Sequence, residues 1–227
     1  MPENAASIMM SRGRAQGRSM RVISLAFLAT ILTVAFAGVG HAQYAARGGL
    51  EAKLQYCKTC HGLSGQGYYG WFPMPRLAGQ QPQYIENQLR AFIDRRRTNP
   101  IMANVAHGIS PSMTSALAEH FKNLNPPPIG GAPRGSIGLG KQIYEEGLPE
   151  ANVPACMACH GLEGKGQDEI PRLAGQLYAY TVGQLTGWGK VRGQGTAVDT
   201  SAIMAPTAHN LNRSQVEAVA AYVSTLH

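Results

Sequence analysis

Three blocks of this 227-residue chain occur twice in the same order, and that duplication constrains the fold more than any other feature. Cys57-Lys58-Thr59-Cys60-His61-Gly62 returns 99 residues later as Cys156-Met157-Ala158-Cys159-His160-Gly161. Pro75-Arg76-Leu77-Ala78-Gly79-Gln80 returns 96 residues later as Pro171-Arg172-Leu173-Ala174-Gly175-Gln176. Ile101-Met102-Ala103, with His107 behind it, returns 102 residues later as Ile203-Met204-Ala205, with His209 behind it. Matched blocks in matched order mean tandem copies of one unit, each of about 90–100 residues, a common domain size. Asn125-Pro126-Pro127-Pro128-Ile129-Gly130-Gly131, running on to Gly135, can continue neither a helix nor a strand and divides the copies. The expected boundaries are a leader over 1–42, a first domain over 43–125, a linker over 126–135 and a second domain over 136–227.

Both copies read as all-α. Leu50 and Leu54 precede the first cysteine pair at i, i+4, and Leu139 and Ile143 precede the second in the same way. Ile85, Leu89 and Phe92 share one face of a helix over 84–93, whose counterpart over 178–188 is weakened by Gly183 and Gly187. Ser110 followed by Pro111 starts one late helix, and Asn212 starts another that runs from Arg213 to Leu226. No segment alternates with period two for long enough to make a strand.

In Cys-x-x-Cys-His, two thiols one helical turn apart can each add to a haem vinyl group, and the adjacent histidine can reach the iron. A dithiol redox pair needs no following histidine and does not usually come twice. A four-thiolate zinc site wants its pairs ~15–20 residues apart, far closer than Cys60 and Cys156. A structural disulfide leaves His61, His160 and the repeated distal blocks unexplained. Two covalently bound haem c groups are therefore expected, on Cys57/Cys60 and Cys156/Cys159, with His61 and His160 as iron ligands. For the sixth ligand the candidates are Met102 and Met204, whose soft thioethers favour Fe(II). Their rivals are His107 and His209, which repeat equally well; methionine is the expected ligand, because His/Met pairs are the familiar electron-transfer ligation. Met74, Met113 and Met157 lack counterparts and read as packing residues.

The amino terminus carries Arg12, Arg14, Arg18 and Arg21, then an apolar run over 22–36, then Gly38-Val39-Gly40-His41-Ala42. A basic head, an apolar core and a small-residue exit describe a secretory signal peptide, with cleavage expected after Ala42 and the mature chain in the periplasm. The competing reading is an uncleaved membrane anchor. Removing residues 1–42 takes four arginines and Glu3 from 20 basic and 13 acidic residues, and leaves a net charge of +4. That charge is too mild for a nucleic-acid partner and permits weak docking to an acidic protein. A monomer is expected, with peripheral membrane association left open.

The order Cys-x-x-Cys-His, Pro-x-Leu, then Met before a C-terminal helix resembles a class I cytochrome c domain. The tandem arrangement, with Arg97-Thr98-Asn99 before Met102 and Ala106, Ile109 and Ser110 after it, resembles the dihaem cytochrome c4 family from about Gln43 to His227. The resemblance implies two facing cytochrome c folds with haem propionates near the contact, and electron delivery to a terminal oxidase or from a quinol-oxidising complex. It also implies that the carbonyls of Pro75 and Pro171 accept from the ligand histidines, and that Leu77 and Leu173 pack on the rings. Arg76 and Arg172 would pair with propionates or else be ordinary solvated charges, and Arg97 is a weaker propionate candidate. The second copy departs from the first: ten extra residues precede Cys156, the loop over 189–201 is longer, and Asn212 replaces a hydroxyl residue. Two other functions stay open, a haem subunit of a dehydrogenase or reductase, and a dihaem peroxidase or thiosulfate-oxidising enzyme. The latter needs an open iron, which methionine on both sites argues against.

Overall fold

Proline at the first helical position sets three helix starts in the first half, where the missing N–H costs nothing. The computed structural model describes residues 48–193 and 200–227. The export segment expected over 1–42, and part of the long loop over 189–201, lie outside those residues. A helix α1 over 48–61 carries the first cysteine pair. Then come α2 (Pro82–Ile93), α3 (Pro100–His107) and α4 (Pro111–Lys122). The side chain of Asn99 caps α3 by accepting from Met102 N at 3.0 Å, and Ser110 caps α4 by accepting from Met113 N. Leu54, Ile85, Ile109, Leu117, Ala118 and Phe121 form the first core, with Leu50, Leu77 and Leu89 packed on it.

The second half contains α5 (Ile137–Glu146), α6 (Met157–His160), α7 (Tyr178–Thr186), α8 (Trp188–Val191), α9 (Met204–Asn210) and α10 (Arg213–Val223). Asn212 and Gln215 cap α10 reciprocally. α10 packs on α5 and α7 around Ile143, Tyr144, Val153, Val216, Val219 and Val223. Residues 124–133 carry no regular structure, as the proline run requires. Both cores belong to one compact unit, 50–227. Among the described residues the extended backbone is limited to isolated bridges, and no helix is long and apolar enough to cross a membrane.

Several sequence expectations need correction. Leu139 is 45% exposed, and the buried face of α5 is Gly140, Ile143 and Tyr144. Close approach to α10 selects the glycine, which apolar periodicity cannot detect. The helix from Tyr178 stops at Thr186 and restarts at Trp188, because Gly187 takes a non-helical conformation between them. Met157 is 37% exposed and is not a packing residue. The ten extra residues before Cys156 form a loop closed by pairing of Leu148 with Val153, which separates α5 from α6. In the first half α1 runs unbroken through Cys57 to His61.

Candidate functional site

In each half the histidine after the cysteine pair is the last residue of its helix, because the next residue is a glycine at positive φ: Gly62 at 87° and Gly161 at 78°. The chain then doubles back through matching hydrogen bonds. Gly67 N donates to His61 O and Gly166 N to His160 O, while Leu77 N donates to Gly65 O and Leu173 N to Gly164 O. That return brings Pro75 and Pro171 against the rings. His61 Nδ1 donates to Pro75 O at 2.9 Å, and His160 Nδ1 donates to Pro171 O at 2.9 Å. A carbonyl can only accept, so the proton sits on Nδ1 and each Nε2 keeps its lone pair. Burial lowers the pKa of both imidazoles, and for His61 the nearby Arg97 adds to the effect. The neutral, metal-binding form is thus the one present at neutral pH.

Cys57 and Cys156 are half-buried, Cys60 and Cys159 exposed, and all four sulfurs are free. Within each pair a spacing of three places both thiols on one side of a helical turn. Burial raises the Cys57 thiol and pushes Cys156 up to about 11, the opposite of the depressed thiol that a redox dithiol needs. Met102 and Met204 are half-buried at the starts of α3 and α9. His107 and His209 are exposed near the far ends of those helices, and His107 Nδ1 donates to Ala103 O at 2.7 Å. Leu77 and Leu173 pack on their respective cores.

Arg76 and Arg172 are not solvated charges; they are only 3% and 7% exposed and meet across the contact between the halves. Their Nε atoms donate to Ala78 O and Ala174 O, and both Nη2 atoms donate to the same Asn125 Oδ1, at 3.2 and 3.4 Å. Burial first, and Arg172 second, push Arg76 down to about 10. Arg76 Nη1 is buried without an acceptor. Paired guanidiniums with an orphaned donor are suited to an anionic group such as a propionate. Free thiol pairs one turn apart, each beside a buried imidazole with a bare Nε2, are suited to the rest of a haem.

A family model described as cytochrome c matches residues 137–227. The chain is 37% identical over 193 residues to "Cytochrome c-552" of Acidithiobacillus ferridurans, covering 80% of each chain. It is 33% identical to "Thiosulfate dehydrogenase electron acceptor" of Stutzerimonas stutzeri (strain A1501), covering 79% of this chain and 83% of the relative. The cytochrome c4 structure of Acidithiobacillus ferrooxidans superposes with a TM-score of 0.64 at 38% identity, over 75% of this chain and 98% of that one. The chain belongs to the dihaem cytochrome c4 family.

As a cytochrome c4 it carries two covalently bound haem c groups, on Cys57/Cys60 and Cys156/Cys159, and it is an electron carrier, not an enzyme. Sequence reasoning missed how this cytochrome c4 joins its halves. Gln80 Nε2 donates to Arg172 O and Gln176 Nε2 to Arg76 O, both at 3.1 Å. A second contact brings Arg97 and Arg192 to Gln88 Oε1 at 2.7 Å each, with Tyr180 and Gln184 also accepting from Arg97. The signal was available: Tyr84 and Gln88 recur as Tyr180 and Gln184, again 96 residues later. Gln80, Gln176, Gln88 and Gln184, polar residues repeated between the copies, line the contact between the halves.

Proposed function

We propose that this cytochrome c4 family member carries electrons in a periplasmic respiratory chain, after export and cleavage at Ala42, and delivers them to a terminal oxidase. Each haem, when bound, supplies a one-electron iron couple. His61 and Met102 would hold the first iron, and His160 and Met204 the second. The observation that carries this reading is the duplicated His–Pro geometry with a half-buried methionine before the late helices of both halves. With both irons capped in this way no position would remain for a substrate, while electron transfer needs only a fixed ligand set. Pro75 and Pro171 hold the histidine rings, Leu77 and Leu173 would pack beside the cofactors, and Arg76 Nη1 would receive a propionate with support from Arg172. The domains are taken as 43–125 and 136–227.

A more specific donor is favoured by one finding. A relative of similar length is named as the electron acceptor of a thiosulfate dehydrogenase, so an oxidising dehydrogenase of that kind is a candidate source of electrons. The thiosulfate chemistry would then belong to the partner. Stopped-flow reduction and a peroxidase assay on one sample test the carrier reading. Uptake of two electrons followed by rapid transfer to an oxidase is expected, with no peroxide or thiosulfate turnover above free haem. Sustained peroxide turnover together with a high-spin signal in the reduced protein would overturn it.

A further inference from the structure

The peptide group between Pro75 and Arg76 is held at both ends by different halves of the molecule. Its carbonyl accepts from His61 Nδ1 at 2.9 Å, and its N–H donates to Gln176 Oε1, in the other half, at 2.8 Å. The peptide between Pro171 and Arg172 repeats the arrangement with the halves exchanged. Pro171 O accepts from His160 Nδ1 at 2.9 Å, and Arg172 N donates to Gln80 Oε1 at 2.7 Å.

The amide orientations follow from the network and are not arbitrary. Gln176 Oε1 faces two donors, Arg76 N and Leu177 N, while its Nε2 faces Arg76 O. Gln80 does the same with Arg172 N, Gln81 N and Arg172 O. A flipped amide would set N–H against N–H and oxygen against oxygen. Both glutamines are buried, at 7% and 5% exposure, so water does not compete for these bonds.

From these two chains of hydrogen bonds we infer that each glutamine is a positioning residue for the haem of the opposite half: Gln176 tunes the first haem through Pro75–Arg76 and His61, and Gln80 the second through Pro171–Arg172 and His160. The inference rests on His61 and His160 being iron ligands. An acceptor on a peptide N–H polarises the group and makes its carbonyl a stronger acceptor. A stronger acceptor on Nδ1–H makes the imidazole a better donor to iron, which stabilises the ferric state and lowers the potential. Each half thereby contributes to the potential of the other through a hydrogen bond to its peptide backbone.

The test is crossed. In Gln176→Leu the first haem's potential should rise by two- to tenfold in its reduction equilibrium, about 20–60 mV at ~59 mV per tenfold for one electron, while the second stays in place. Gln80→Leu should do the reverse, with each potential assigned by the hyperfine-shifted NMR signals of its own haem. Gln176→Glu keeps an acceptor on Arg76 N–H and should leave the first potential at or below the wild-type value. Equal shifts of both potentials in each variant, a shift confined to the mutated half, or no shift would overturn the relay. If Gln176→Leu does not accumulate with two haems, Gln176→Glu carries the test, and a rise in its first potential overturns the proposal. Ligation is checked separately: two hyperfine-shifted imidazole Nδ1–H signals in the wild type report histidine on both irons whatever the variants do.

Discussion

For each proposed sixth iron ligand the chain offers a thioether and an imidazole five residues apart, Met102 with His107 and Met204 with His209. Met102 stands in the first turn of α3, where the Asn99 cap fixes its backbone N–H, and its side chain is half-buried. His107 stands in the last turn, exposed, with Nδ1 committed to Ala103 O. A histidine there already has a local role, since its ring N–H is tied to the carbonyl one turn back. Met102→Ala and Met204→Ala should each remove about half of the weak long-wavelength sulfur–iron band, one of two equivalent sites, and lower one potential. His107→Ala and His209→Ala should leave the band intact. Loss of six-coordination in the histidine variants, with the methionine variants unchanged, would reverse the assignment.

Among the helices, α5 and α10 cross closely at Gly140. A Cβ placed on Gly140 would lie 1.9 Å from Ala218 O and 2.9 Å from Tyr222 Cβ, so backbone would have to separate. Two residues away, a Cβ on Gly138 would meet nothing within 4 Å. Gly140→Ala should therefore destabilise the protein by about 1–3 kcal/mol or more, as overpacked cores do. Gly138→Ala should be neutral or stabilising by up to ~1 kcal/mol, through helix propensity. Urea denaturation of the two variants side by side measures the contrast; equal midpoints would mean that the crossing relaxes. Helices whose starts depend on local chemistry were legible in the sequence: Ser110 with Pro111, and Asn212, act on backbone within three residues, and the structure adds Gln215 to the second cap. The face of α5 was not, because Leu139 and Gly140 differ only in what α10 brings near them.

Over the whole molecule, two small cores are joined by polar contacts, and the polar contacts gather at the junction. Asn125 Oδ1 accepts from Arg76 and Arg172 together, so one side chain at the end of the first domain serves both halves. Asn125→Ala leaves two buried donors short of an acceptor and should cost about 1–3 kcal/mol, seen as a lower midpoint in a denaturant titration followed at the haem absorption. Replacing all four cysteines by serine removes the covalent tether of both cofactors. Each half buries limited apolar surface in six to eight main core residues, too little for a unit of this size to be secure alone. The haem-free chain should be largely unfolded by circular dichroism; native-like helicity would show that the polypeptide supports itself.

By itself the sequence determined the duplication, the helical class and the cysteine–histidine pairs, while the carbonyls of Pro75 and Pro171 entered only through the family resemblance. Those features depend on covalent spacing and on contacts inside one copy, which the repeat displays twice. Only the tertiary structure decided the fate of Arg76, Arg172, Gln80 and Gln176. Their partners lie 92 and 100 residues away, and whether a polar side chain meets water or the other copy depends on how two folded surfaces fit. A residue's neighbours along the chain carry no record of that fit, because burial at a contact between halves is set by shape and hydrogen-bond pairing of surfaces that form only after each half has folded.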